Sequence, residues 1–203
     1  MLNSSVRGPF LHPSLPLHLP WHRLLTSRLG GDGNIRMIGP VISCEGSPLH
    51  DPAIEPDAKW RWNPHVQSWA LAVDAVGLNV LQAGTKVLGC PKDRLDTIYH
   101  SELGASRAVL RAGHNIASLL KRYEGIDWRI TSNWKCNNRS NPLGKSNFFG
   151  GTLGPYETMF VKYKTHLLSA ADPVALRAKR LSELEDSRLQ LEDSLQRLRH
   201  FST

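Results

Sequence analysis

Four short groups of residues have the types and spacing to do chemistry. The first is Asn3-Ser4-Ser5-Val6-Arg7-Gly8-Pro9-Phe10, small polar side chains followed by an arginine and a tight turn. Hydroxyl and amide oxygens at a strand end can hold a metal–diphosphate, and a guanidinium pairs with phosphate oxygens. An exposed loop with a capping serine is the plain structural alternative. The second group is His65-Val66-Gln67-Ser68. On a strand, His65 and Gln67 share one face and Ser68 takes the other. Their imidazole and amide can hydrogen-bond substrate hydroxyls, and His65 can also ligate a metal. A satisfied histidine at a strand start explains the same residues.

The third group is Tyr99-His100-Ser101-Glu102-Leu103-Gly104. Ser101 is placed to cap a helix, with Glu102 in its first turn. The helix dipole would keep that carboxylate ionised, which suits a metal ligand or a base acting on an acceptor. A glutamate that merely stabilises the helix start is the alternative. The fourth is a loop carrying Asp127-Trp128-Arg129, Asn133-Trp134-Lys135-Cys136-Asn137-Asn138 and Asn141-Pro142. Indole faces stack on sugar C–H faces while flanking amides bond hydroxyls. A nucleobase would use the same residues, and a loop pinned by its own aromatics needs neither ligand.

The elements that must position these groups follow from hydrophobic periodicity. Pro13, Pro16 and Pro20 forbid a helix near the start. WHRLLTSRL (21–29) predicts a short amphipathic helix stopped by Gly30-Gly31, and IRMIGPVISC predicts a buried strand. Residues 45–64 carry four prolines and read as a long loop. HVQSWALAVD (65–74) predicts a second strand, and VGLNVLQAG a short helix. The clearest helix begins at Ser101, with Gly113 separating it from a following strand or turn. GPYETMFVKYK predicts a closing strand with Tyr156, Thr158 and Phe160 alternating. Strand–helix alternation places the body in the α/β class. Beyond Asp172, Leu181, Leu184, Arg188, Leu191, Leu195 and Leu198 form a 3-4 seam, so residues 172–200 predict an amphipathic, coiled-coil-like helix. It either self-associates or lies on the body.

Charge and cysteine content narrow the classes. The chain has 203 residues, 25 Lys+Arg against 18 Asp+Glu, a net charge of +7 and a sequence pI near 9.6. Six basic and six acidic residues cancel in the tail from Asp172 onward, so the excess belongs to the body. There it is spread without a basic block, which suits phosphate-bearing small molecules as well as DNA. No run is long and apolar enough to predict a membrane span. Cys44, Cys90 and Cys136 have no C-x-x-C spacing, which argues against structural zinc and permits one disulfide plus a free thiol. P-loop, G-x-G-x-x-G, G-x-S-x-G and H-E-x-x-H motifs are all missing.

In succession, NSSVRGPF, IGPVISC, PHVQSWALAVDAVGL, SELGASRAVLRAGHNIASLL, YEGIDWR, WKCNNRSNP and PYETMFVK resemble a glycosyltransferase-like family. Its members are algal, fungal, bacterial and large-DNA-virus polysaccharide enzymes related to the rhamnan-synthesis type. The resemblance spans about residues 2–164. It implies a partial glycosyltransferase-A-like (Rossmann-like) α/β domain over residues 1–168, while the helix of 172–200 matches nothing in the family pattern. It implies transfer of a sugar from a nucleoside-diphosphate sugar to a glycan hydroxyl in polysaccharide or glycoconjugate synthesis. Glu102 and His65 would be catalytic, and Asn3, Ser4, Ser5 and Arg7 would face the donor phosphates. Gln67, Trp128, Trp134 and Asn137 would bind the acceptor, and Mn2+ or Mg2+ would be the cofactor.

The family's metal-motif position reads Asn3-Ser4-Ser5 here, without a carboxylate. Its nucleotide-binding half normally precedes that motif, so the chain is expected to be an N-terminally truncated, acceptor-side portion. The alternative expectation is a non-catalytic carbohydrate-binding or scaffold fragment. Expected partners are a nucleotide sugar, a glycan acceptor and a second copy through the tail, with no nucleic acid. A Golgi or secretory lumen and the cytoplasm both remain open as compartments.

Overall fold

A computed structural model describes residues 2, 6–12, 14–16, 19–47, 52, 56–84 and 86–162, with 176, 180, 183–184, 187–192, 194–195 and 197. In chain order the named elements begin with β1 (Val6–Arg7), α1 (Arg23–Thr26), β2 (Ile35–Gly39), β3 (Ile42–Ser43), β4 (His65–Val66) and β5 (Ala72–Val73). They continue with α2 (Ala75–Ala83), α3 (Arg94–Asp96), α4 (Leu103–Arg111), β6 (Asn115–Ser118), α5 (Pro155–Thr158) and β7 (Val161–Lys162). The protein is thus mixed α/β, with three small sheets among the described residues. β2 lies at the centre of the largest, antiparallel to β5 and parallel to β6. β3 pairs antiparallel with β4, and β1 pairs antiparallel with β7.

Pro40 explains why the apolar run 35–44 is two strands rather than one. A proline in mid-sheet removes a ladder donor, and the chain leaves the β2 sheet after Gly39 to pair with β4 from Ile42. Met37, Ile38, Val41, Ile42 and Cys44 are fully buried on the way. The predicted strand 65–74 is also divided. His65–Val66 joins β3, a turn at Ser68–Trp69 follows, and Ala72–Val73 joins β2. Gln67 therefore lies past the end of the strand, where its N–H donates to the Val41 carbonyl at 3.0 Å.

α2 begins as its sequence requires. The Asp74 carboxylate accepts the Gly77 N–H at 2.8 Å, an N-cap, and pairs with Arg36 of β2 at 2.8 Å. One residue thus starts a helix and fastens it to the central strand. α4 ends in a paired C-cap: Gly113 N–H bonds the Leu110 carbonyl and His114 N–H bonds that of Val109, both at 3.1 Å. Gly113 takes φ 80°, which this cap demands and which costs a residue without Cβ nothing. The chain then enters β6 directly, matching the break expected at this glycine.

The start of the helix is not where Ser101 predicts it. Helical structure begins at Arg94, capped by the Asp93 carboxylate on Asp96 N–H at 2.9 Å. It runs through a π-turn, Thr97–Glu102, into α4. Ser101 is therefore inside the helical run, and Glu102 stands at a π-to-α junction instead of a helix N-terminus. π-turns of this kind recur at functional sites. The closing segment differs too. Gly154 and Pro155 start a helical turn whose Glu157 carboxylate accepts the Gly154 N–H at 2.7 Å. Among the described residues of this segment only Val161–Lys162 is strand, so Tyr156, Thr158 and Phe160 do not alternate on one.

In the tail, the described residues from Leu176 to Arg197 are helical. Leu184, Leu191 and Leu195 are exposed, and Arg188 bonds Glu192 one turn on at 2.8 Å. Leu181 and Leu198 of the expected seam lie outside the described residues. Among the described residues no helix is long and apolar enough to cross a membrane.

Candidate functional site

Three separate elements bring acid and base groups together beside β3 and β4. In the β3–β4 ladder Ser43 stands opposite His65, so Glu45, two residues beyond Ser43, continues the same edge. α4 is docked on β4 by two bonds. Ser106 Oγ accepts the Val66 N–H at 2.9 Å, and Asn63 Nδ2 donates to the Leu103 carbonyl at 3.3 Å. This docking carries Glu102 to the turn after β4, where its carboxylate accepts the Ser68 N–H at 3.5 Å. Asn141, from the Asn-rich loop, hydrogen-bonds Glu45.

The electrostatics follow from that packing. His65 is buried, and burial pushes its pKa below the ordinary value. The Glu102 charge and the Asn63 backbone pull the other way without reversing it. Burial thus favours the neutral imidazole, and among the described residues its Nδ1 has no hydrogen-bond partner. Glu45 is solvent-exposed, yet partial burial raises its pKa, opposed by the Asn141 hydrogen bond and assisted by the Glu102 charge. Two carboxylates in one another's field, one favouring its proton, suit acid–base work on a hydroxyl. Glu45 escapes a motif search, although an acid at the carboxyl end of a buried apolar strand is a legible signal.

The first motif is described only in part. Leu2 bridges Ala70, and Val6 pairs with Lys162. Asn3, Ser4 and Ser5 lie outside the described residues. Arg7 is exposed, and its guanidinium bonds the Val6 carbonyl at 3.2 Å.

The fourth motif is redistributed. Trp128 is fully buried and Trp134 nearly so, with Trp134 Nε1 donating to the Trp128 carbonyl at 2.8 Å. Trp128 meets Tyr123 edge-on at 5.3 Å, and Trp134 packs on Trp60 at 4.9 Å. Neither indole presents the open face that sugar stacking needs, and the loop is pinned by its own aromatics. Asn137 is buried as well. Its amide donates to the Ser140 carbonyl and accepts the Phe149 N–H, both at 3.0 Å. Trp60 and Trp62 are half-buried, in a 3₁₀ turn over Ala58–Trp62 within the expected long loop. A Cys44–Cys136 disulfide ties the end of β3 to this loop and leaves Cys90 as an exposed free thiol.

A cavity of about 360 Å³ lies apart from Glu45 and Glu102. Phe10, Leu24, Leu119, Tyr156, Arg28 and Glu157 are among the residues that line it. Leu119 directly follows β6, so the cavity sits beyond the carboxyl end of the parallel pair, where α/β sheets commonly hold ligands. Among the described residues no group of three or more His, Cys, Asp or Glu side chains is placed to hold a metal ion. No family model, curated protein or solved structure matches the chain.

Proposed function

We propose that the protein transfers a sugar from a nucleoside-diphosphate sugar to a hydroxyl of a glycan. The observation that carries this reading is the meeting of Glu102, Glu45 and neutral His65 at one edge, assembled from motifs far apart in sequence. In the proposed step Glu102 takes the proton of the acceptor hydroxyl as its oxygen bonds the anomeric carbon. The bond from that carbon to the diphosphate breaks, and the nucleoside diphosphate departs. His65 is a positioning residue behind Glu102, because its burial keeps it from solvent. Glu45 orients the acceptor by hydrogen bonds. Arg7 offers its charge to the departing diphosphate.

The partial glycosyltransferase-A-like fold belongs to the same proposal. A divalent ion, Mn2+ or Mg2+, belongs to it too, with no ligands assigned and no step above routed through it. Self-association through the tail would account for its exposed leucines. The test is nucleoside-diphosphate release from a panel of nucleotide sugars, with and without glycan acceptors. Acceptor-stimulated release that falls about 100-fold or more in Glu102→Gln is expected. Full activity in that variant would remove Glu102 from the mechanism. Glycan binding without turnover would favour a non-catalytic carbohydrate-binding protein instead.

A further inference from the structure

Next to Glu45 two arginines are held on a single indole. Trp62 packs against the backbone of Gly46. A Cβ built at that glycine would fall on the indole ring, so the close approach requires the missing side chain. Two guanidiniums lie over the same indole, Arg61 at 4.9 Å and Arg139 at 4.6 Å from the ring centroid. They come from opposite sides of the Cys44–Cys136 link, which holds the loop bearing Arg139 against the end of β3. Arg61 Nε donates to the Ser47 carbonyl at 3.3 Å, and Arg139 Nε is buried with no hydrogen-bond partner among the described residues. Among the described residues neither guanidinium has a carboxylate partner, although both are half-buried.

Stacked guanidiniums keep their N–H edges free for an oxyanion, and partial burial strengthens that interaction. We infer that Arg61 and Arg139, held on Trp62, form a subsite for an anionic group on the glycan acceptor, a carboxylate or sulfate ester. The indole and the arginine edges would grip a charged sugar while the neighbouring sugar's hydroxyl reaches Glu45 and Glu102. A nucleic acid fits less well. Its backbone carries a charge at every step, and Glu45, next to Gly46, sets a carboxylate beside this patch. The inference rests on the acceptor reading above and adds the acceptor's charge to it.

Calorimetric titration of the 203-residue chain tests it, using an oligogalacturonate, its methyl-esterified neutral form, a sulfated dextran oligomer and neutral dextran. Tighter binding of one or both charged oligomers than of their neutral counterparts is expected, and which one binds distinguishes carboxylate from sulfate. Arg61→Gln and Arg139→Gln should each weaken that binding roughly tenfold or more. Arg61→Lys should fail to restore it, because a lysine lacks the planar fork. The charge preference of the unmodified chain is a readout that needs no variant to fold. Equal binding of charged and neutral oligomers would overturn the inference and leave the transferase reading standing. So would unaffected binding in both glutamine variants, or tighter binding of single-stranded RNA. Charge-selective binding by a chain without transferase activity would support the inference and count against the transferase reading alone.

Discussion

The Glu102 carboxylate accepts the Ser68 backbone N–H at 3.5 Å, joining the end of the π-turn to the turn after β4. That bond depends on Ser106 holding β4 against α4. Chemistry proposed for Glu102 is therefore sensitive to the docking of α4 as well as to the carboxylate itself. Glu102→Gln keeps the shape and loses the charge. Transfer should fall about 100-fold or more, with the thermal midpoint little changed. Ser106→Ala should lower both, because the Val66 N–H would be buried without a partner.

His65 gives the pH dependence a sign. Its pKa is depressed in the folded protein, so the unfolded chain binds its proton more readily. Stability is thus fully present above the ordinary histidine value of 6.5 and lost as pH falls from there toward the folded value. His65→Gln should flatten this acid limb in chemical denaturation run from pH 7.5 to 5. An unchanged limb would show that His65 is not buried as described.

Glu45 acts in the opposite sense. Burial raises its pKa, so its contribution to stability is largest below the ordinary glutamate value and is lost as pH rises through the folded value. Glu45→Gln should raise the thermal midpoint at neutral pH relative to the parent chain. The gain should vanish in titrations at acid pH, where the parent glutamate is protonated.

Asp74 caps α2 and pairs with Arg36, and these contacts hold its carboxyl below the ordinary range in spite of some burial. Asp74→Ala should cost about 1–2 kcal/mol in urea denaturation through loss of the cap alone. Asp74→Asn, which can still cap, should recover part of that loss.

The Cys44–Cys136 bond closes a loop across a sequence separation of 92 residues. Cys136→Ser should destabilise the protein by about 2–5 kcal/mol. In the parent chain, thiol titration under native conditions should find Cys90 and no other reactive thiol. Trp128→Ala should cost about 3–5 kcal/mol, the signature of a core residue and not of a sugar platform.

Much of the chain was legible in advance. The short helix after Trp21, the helix over VGLNVLQAG, the break at Gly113 and the α/β class all follow from local periodicity and capping chemistry. The strand HVQSWALAVD was misread in one respect, because a run of small apolar residues fits one long buried strand as well as two short ones. Ser101 was misplaced for a related reason. A serine before a glutamate is a cap by sequence, but Asp93 had already started the helix.

What the sequence determined by itself is therefore the inventory: which segments turn, which are apolar, and which side chains can carry a proton or a charge. Burial and partnership were decided only by tertiary structure. Trp128 and Trp62 are chemically the same residue, yet one fills the core and the other half-emerges between two arginines. Glu45 became a candidate only when β3, α4 and the Asn141 loop converged on it. Local propensity acts over a few residues, whereas a site's field sums over groups brought together by long-range packing.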